Sequence, residues 1–435
     1  MSYSALFADI ETARAPRPSA DLFTDRGWSP AQQAVLRAPF DKSAVVCAGA
    51  GAGKTRVLAE RVCSLIRLGA NPKRMAVVTF TRRAAQEMLT RISHQLGDSR
   101  RMPVVGTVHS LAMSVVARRK LPFTLATPEQ QLECLAALSE FLPPACEELT
   151  PAELLLEVSR AREADATGSP VGMVAQLYEE QLLSRGLGDF TSLLVRAGER
   201  PPDMFDHVIV DETQDLSPLQ LRLVEGLGPK ANFWFIGDPD QSIYSFRGAQ
   251  AGMMQLLMSR YPLHFTLPTN FRSARRIVSH ANNVISQNSG RVAIEWEAHR
   301  QDEGSVQVKF FEDGEAEQAF ALSWLQERPE SRCVLARTRA LIEVLKAQKL
   351  NAFSVHESKG LEWDEVLVLG CEAALFPHPL AGIAEERRLF YVAMTRARNA
   401  LILSSAANRS SKNPTLVSRK PSPFLFEAQA LQAKG

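Results

Sequence analysis

The 435-residue chain is 45% hydrophobic and 23% charged, enough apolar material for more than one core, which excludes a disordered or collagenous chain and predicts two or more compact units. Lysine plus arginine (50) nearly equals aspartate plus glutamate (48), so a nucleic-acid partner would have to be met by a local basic patch and not by a global field. Cys47, Cys63, Cys134, Cys146, Cys333 and Cys371 contain no C-x-x-C pair, which argues against zinc and against a disulfide scaffold, and no apolar run reaches the roughly 18 residues of a membrane span, so a soluble cytoplasmic protein is expected.

Residues 1–26 include an Ala/Pro/Arg-rich stretch from Thr12 to Ala20 and suggest a flexible leader, with Asp9 and Glu11 standing where a signal peptide would be apolar. From Trp28 onward short β-branched runs alternate with amphipathic helices, beginning with Ala44-Val45-Val46-Cys47, Met75 to Phe80, Val208-Ile209-Val210 and Phe233-Trp234-Phe235-Ile236. The helix after the first run places Leu58, Val62, Leu65 and Ile66 on one face and stops at Gly69. The alternation resumes at Val306 to Phe311, Cys333 to Ala336, Val366 to Leu369 and Leu401 to Leu403. Strands alternating with helices predict an α/β fold of two parallel-sheet units. Residues 118–190 are helical in pattern and predict an insertion into the first unit, which then comprises 27–117 and 191–267; the second unit takes 268–407. Beyond 408, Arg409, Lys412, Arg419 and Lys420 among serines and prolines suggest a solvated tail.

Ala48-Gly49-Ala50-Gly51-Ala52-Gly53-Lys54-Thr55 lies between a predicted strand and a predicted helix. Such a turn lets successive backbone N–H groups wrap phosphate oxygens, with Lys54 reaching the β/γ-phosphates and the Thr55 hydroxyl on Mg²⁺. Ala48 stands where G-x-x-x-x-G-K-[ST] has its first glycine, and a plain glycine turn with an exposed lysine is the alternative. Val208-Ile209-Val210 ends in Asp211 and Glu212, which suits a Mg²⁺-holding carboxylate followed by a base that orients water; an acidic helix cap is the alternative. Together the two segments predict a site that hydrolyses a nucleoside triphosphate.

In this order the segments resemble the UvrD/Rep-like DNA helicases of superfamily 1A, over Trp28 to about Leu403. Trp28-Ser29-Pro30-Ala31-Gln32-Gln33 is similar to the family's adenine-reading motif, with Gln32 as reader, and the resemblance also implies a nucleotide contact at Arg56, next to the glycine turn. Val78 to Ala85 and Gly106 to Ser110 resemble two single-strand contact motifs, which implies DNA contacts at Thr79, Phe80, Thr81, Thr107 and His109; taken alone, Phe80 suits core packing and His109 a hydrogen-bonded structural role. Gly237-Asp238-Pro239-Asp240-Gln241-Ser242-Ile243-Tyr244-Ser245-Phe246-Arg247-Gly248-Ala249 is the most specific segment. It implies a γ-phosphate sensor at Gln241 and DNA contacts at Tyr244, Phe246 and Arg247; phenylalanine replaces the tryptophan common at position 246, and the absence of Leu-Pro-Pro after the glutamine implies 3′-to-5′ movement.

Asn270 to Ser273, His356 to Trp363 and Glu385 to Arg398 resemble motifs IV, V and VI. They imply Phe271 over the adenine, Arg272 and Arg396 as arginine fingers, Glu362 on the nucleotide and His356 on DNA. Arg396 and Arg398, with Arg387 and Arg388, could equally form a solvated helix face, and Phe271 could be core. The resemblance implies two RecA-like P-loop lobes with ATP hydrolysed in the cleft between them. About 80 residues separate Arg272 from His356, too few for the accessory domain (2B) that family members carry there.

The expected function is an ATP- and Mg²⁺-dependent, 3′-to-5′ single-stranded DNA translocase and helicase. Its expected partners are single strands, single/double-strand junctions and replication or repair proteins, with the chain acting as a nucleoid-associated monomer off the membrane. A DNA-dependent ATPase that remodels protein–DNA complexes with little unwinding is the alternative, and no room for a nuclease domain is seen after Leu403.

Overall fold

Uncharged and lacking alternation, Ala44-Val45-Val46-Cys47-Ala48 suits a strand covered on both faces, and every residue of the strand it forms is buried. The computed structural model describes residues 27–97, 101–164, 166, 168–199, 201–245, 248–250, 252–410 and 416–429. The leader expected over 1–26 lies outside them, as do Phe246 and Arg247. The described chain divides into two units. The first holds the residues up to Cys47, Lys54–Gly237 and Tyr244–Thr266; the second holds Ala48–Gly53, Asp238–Ile243 and everything from Leu267.

In the first unit, β1 (Ala44–Ala48), β2 (Met75–Thr79), β3 (Val104–Thr107), β4 (His207–Val210), β5 (Asn232–Gly237) and β6 (Leu263–Leu267) form one sheet in the order β3-β2-β4-β5-β1-β6. The β2–β3, β2–β4, β4–β5 and β1–β5 pairs are parallel, so the carboxyl ends of β4, β5 and β1 share one edge. Parallel strands leave that edge to loops, where α/β folds place ligands.

The helices are α1 (Pro30–Arg37), α2 (Lys54–Arg67), α3 (Arg82–Leu96), α4 (Val108–Arg118), α5 (Pro128–Ala136), α6 (Pro144–Glu147), α7 (Pro151–Glu163), α8 (Pro170–Ser184), α9 (Phe190–Gly198), α10 (Pro218–Gly226) and α11 (Met253–Arg260). Ser29, Thr127, Thr150, Ser169 and Ser217 each cap a helix that opens on proline, a side-chain oxygen taking an orphan N–H while the ring presets the first turn. Helices α5 to α8 bury Cys134, Leu135, Leu154, Val158, Val174, Tyr178 and Leu182 around a core of their own.

The second unit pairs β7 (Thr269–Asn270) with β8 (Glu297–Ala298), and builds a sheet in the order β11 (Ala352–Ser354), β10 (Arg332–Ala336), β12 (Trp363–Leu369), β13 (Ala397–Ser410), β14 (Leu416–Ser418). The strand β9 (Ser305–Asp313) lies parallel to β13. Its helices are α12 (Arg275–Ile285), α13 (Gly314–Glu327), α14 (Glu343–Ala347), α15 (Ile383–Met394) and α16 (Pro423–Glu427). Trp324, Leu325, Val334, Leu345 and Leu367 center one of its cores.

The solvated tail expected from 408 is corrected by the described part of that segment. Strand β14 pairs antiparallel with β13, and Phe424, Leu425 and Ala428 of α16 and the residue after it are fully buried. Arg409 is ion-paired with Glu317 and Glu372, both wholly buried, and these partners raise its pKa against the cost of burial. The physical reason is that two large apolar side chains one residue after a Ser-Pro cap make a buried helical turn, which outweighs the local polarity around them. Among the described residues no helix is long and apolar enough to cross a membrane.

Candidate functional site

Strand β1 ends at Ala48 and α2 starts at Lys54, so the glycine turn occupies the carboxyl end of a buried parallel strand and the amino end of a helix. Gly51 and Gly53 have φ of +68° and +78°, the left-handed region that favours glycine. Gly51 also has no room for a side chain, because a Cβ would stand 2.7 Å from the Arg272 Cβ and 2.8 Å from the Asn270 Oδ1. The Phe271 N–H donates to the Gly51 carbonyl at 2.9 Å.

In the first unit, Asp211 follows β4, its backbone N–H bonded to the Val78 carbonyl at 2.8 Å and its carboxylate accepting from the Glu212 N–H at 2.9 Å. The side chain is buried. Burial, then the like charge of Glu212, push its pKa up, and Lys54 pulls in the opposite direction. Glu212 has φ +51°, a strained conformation for a side chain of its kind, and its carboxylate accepts from the Gln214 amide at 2.5 Å. Lys54 and Thr55 are half-buried at the start of α2, and Arg56 is exposed.

Gln32 is buried in α1, in a capping box where its Oε1 accepts from the Ser29 N–H at 3.0 Å and the Ser29 hydroxyl accepts from its N–H at 3.2 Å. Arg56 lies 4.0 Å over the Trp28 ring and donates to the Gly27 carbonyl at 3.1 Å. Sequence reasoning missed Arg61, whose wholly buried guanidinium sits between the Phe40 and Trp234 rings and donates to the Leu36, Ala38 and Pro39 carbonyls at the end of α1. A charged residue on the apolar face of α2 was the signal that could have found it.

The second unit gathers Gln241, Arg272, Glu362 and Arg396. Gln241 donates through Nε2 to Asp238 at 2.8 Å and accepts at Oε1 from the Arg396 Nη2 at 3.1 Å. Arg396, 2% exposed, also donates to the Val392 and Leu361 carbonyls at 3.0 and 3.2 Å, and is therefore no solvated helix face. Arg272 is ion-paired with Glu362 and donates to the Thr395 carbonyl at 3.3 Å. Burial works against the Glu362 carboxylate, but Arg272 and Arg398 together hold its pKa below the ordinary range. Phe271 packs against His299 at 4.7 Å between ring centroids. His356 is half-buried in the turn after β11.

Thr79, Phe80, Thr81 and His109 line a cavity of about 370 Å³ in the first unit, together with Leu156, Arg160 and Phe190. Phe80 stacks on Tyr244 at 5.0 Å and 22°, and His109 meets Phe190 edge-on at 5.3 Å. Thr81 and Thr107 cap α3 and α4. Burial lowers the pKa of His109, which favours a neutral ring. Phe190 and Arg160 were not singled out from the sequence. Phe190 stands at i, i+3, i+4 spacing with the buried Leu193 and Leu194 and so reads as core in the sequence, yet it is 51% exposed; no local signal marked it.

Two family models match the chain in order. Residues 31–247 match an AAA domain, and residues 341–408 match the UvrD-like helicase C-terminal domain. DNA helicase II of Escherichia coli is 34% identical over 279 residues, 57% of this chain and 39% of that protein. The ATP-dependent DNA helicase Rep of Escherichia coli is 32% identical over 277 residues (56% and 41%), and the putative ATP-dependent DNA helicase YjcD of Bacillus subtilis 31% identical over 335 (68% and 44%). The chain spans about two fifths of the length of these relatives. The glycine turn on a parallel strand edge, the acidic end of β4 and the two matched models fall in one sequence order, and the chain belongs to the UvrD-like helicases of superfamily 1A.

Proposed function

We propose that the chain is an ATP-driven motor that translocates 3′ to 5′ along single-stranded DNA and opens duplex ahead of it. The observation that carries this reading is the short run from Asp238 to Tyr244. At one end Gln241 joins Asp238 to the buried guanidinium of Arg396, and three residues on the Tyr244 ring stacks on Phe80. A change at the phosphate end of that run reaches an aromatic platform for bases within a single turn of chain.

The residues fit ATP and Mg²⁺. The glycine turn is shaped for backbone N–H groups to hold phosphates, and Asp211 is a buried carboxylate whose charge lacks full compensation, the condition a cation relieves. Thr55 and Asp211 would hold the Mg²⁺, which would supply positive charge to the phosphates during transfer. Lys54 supplies positive charge to the same phosphates, and Glu212, kept in place by Gln214, orients the attacking water. Arg272 and Arg396 offset charge that develops in the transition state. Gln32, Arg56, Phe271 and Glu362 bind base and sugar. Thr79, Phe80, Thr81, Thr107, His109, Tyr244 and His356 hold the strand, with Phe190 added from the cavity.

ATPase activity measured with single-stranded DNA, RNA and no nucleic acid tests the motor reading. Stimulation by DNA that weakens with added salt, through counterion release, is expected; turnover at an equal rate without nucleic acid would sink it.

A second reading is favoured by the segment between Arg272 and His356, where every described element belongs to the second unit. A chain without an accessory domain there would act as a DNA-dependent ATPase that displaces proteins and unwinds little. Strand displacement on a 3′-tailed duplex, measured beside translocation on a single strand, separates the two readings. Movement without displacement selects the second.

A further inference from the structure

Trp296 belongs to none of the motifs above, yet it touches two of them. It is 3% exposed, and its indole lies flat on the glycine turn: a Cβ on Gly49 would stand 2.6 Å from its Cε3 and 2.7 Å from its Cδ2. Gly49 is not among the residues with positive φ, so its backbone conformation does not demand glycine; the indole does. On its other side Trp296 donates through Nε1 to the Asp240 Oδ2 at 3.1 Å. Asp240, 1% exposed, also accepts from Arg291, at 3.1 Å from Nε and 2.6 Å from Nη2. Arg291 is itself fixed by the Ile294 carbonyl at 2.8 Å, and the Trp296 carbonyl takes the Asn282 amide at 2.7 Å.

Asp240 is the residue before Gln241, and its N–H donates at 3.0 Å to the Asp238 carboxylate whose other oxygen holds the Gln241 amide. A buried ion pair of this kind contributes little net stability, but its two-pronged geometry is stiff and directional. All of these residues belong to the second unit.

We propose that Trp296 is a positioning residue for hydrolysis. Its ring face sets the position of the phosphate-binding turn at Gly49, and its N–H, with Arg291, sets Asp240 and through it the γ-phosphate sensor Gln241. One side chain thereby fixes the spacing of two segments that must meet the same phosphates to within a few tenths of an ångström. The proposal rests on ATP hydrolysis at the Lys54 turn, as argued above.

Two measurements on the full chain test it. The first is steady-state ATPase with saturating single-stranded DNA. Trp296→Phe keeps a ring on Gly49 and deletes the indole donor, so kcat should fall about tenfold or more while KM for ATP moves less than about threefold. Arg291→Lys keeps the charge without the fork and should show the same split, and it decides the question if Trp296→Phe does not fold. The second is calorimetric binding of a non-hydrolysable ATP analogue. Gly49→Ala should weaken it about tenfold or more, because the methyl meets the indole, and the double variant Gly49→Ala with Trp296→Ala should recover at least about threefold of that loss. An unchanged kcat in the folded donor or fork variant, or a double variant that binds no better than Gly49→Ala, overturns the positioning role. A wild-type protein without ATPase activity overturns the functional reading instead, and the analogue-binding pair still tests the steric claim.

Discussion

Asp211 and Glu212 in the first unit and Arg272 and Arg396 in the second are two pairs of like charges on mostly buried backbone, and the fold treats them in opposite ways. The arginines are met by the chain itself, Arg272 by Glu362 and Arg396 by two carbonyls and the Gln241 amide. Asp211 is instead raised in pKa by burial and by the like charge of Glu212, which stands on strained backbone. A site that must receive a cation keeps its negative charge under-compensated, whereas groups that act by position are locked before the substrate arrives. The difference assigns different consequences to substitutions on the two sides.

Lys54→Ala has the largest expected effect. It removes the positive charge offered to the phosphates, and hydrolysis should fall by about 10³-fold or more, while the protein still folds, since the side chain is half-buried at a helix start and fills no core. Full activity in the purified variant would remove the site assignment. Arg396→Lys comes next. Lysine cannot reproduce a fork that serves Val392, Leu361 and Gln241 at once, so kcat should drop on the order of 10³-fold, and here stability should fall as well, by about 1–3 kcal/mol for the unmet acceptors. An Arg396→Lys protein that melts like the wild type would break the claim that the second unit pre-locks its arginines.

Phe190→Ala probes neither pair and serves as the reference. Its ring is half in solvent, so folding should hardly change, while single-strand binding weakens by about 1–3 kcal/mol from one lost stacking surface. Equal binding by fluorescence anisotropy would exclude the cavity from the strand path.

Much of this was legible in the sequence where one residue type has one physical use. The strand–glycine turn–helix order and the apolar run ending in two acids place Lys54 and Asp211 without coordinates, since buried parallel strands show as unbroken β-branched runs. The links between segments distant in sequence were not legible. Nothing local in Trp296 announces Gly49, more than two hundred residues away, and nothing in Arg61 announces the end of α1. The C-terminal segment misled because serines, prolines and basic residues outweighed Phe424 and Leu425 in a short window, while folding counted only the apolar area those two could bury. Arg396 and Arg398 looked alike in a charge run, yet one is buried and one exposed, a distinction made by the turn after α15 and not by composition.

Asp211→Asn separates stability from activity. Because the folded chain holds the Asp211 proton more tightly than an unfolded chain does, stability falls as pH rises from the ordinary carboxylate range through the raised value, and the full cost is present above it. Asparagine removes that cost. Hydrolysis should be lost, and the nucleotide-free variant should melt roughly 2–5 °C higher than wild type at pH 8, with a smaller gain at pH 5. A lower melting temperature at pH 8 would mean that Lys54 already compensates the acids, and the contrast between the two units would fail on its first side.

Arg398→Ala is the smallest effect and the sharpest test of the second side. Arg398 shares Glu362 with Arg272, at 2.5 Å from its Nη2, but its own side chain is 44% exposed and its other partner, Asp364, is 3.5 Å away at a site 45% exposed. Screening by solvent limits such a pair to about 1 kcal/mol or less. Removing it leaves Glu362 with Arg272 and the Thr395 carbonyl in place, so Arg272 keeps its position and kcat should stay within about twofold of wild type. Added salt should erase even that difference, since only the exposed half of the Glu362 network is screened. If kcat instead falls as far as in Arg396→Lys, the lock on Arg272 depends on the outer arginine, and the second unit is not pre-set by its buried contacts but assembled from its surface.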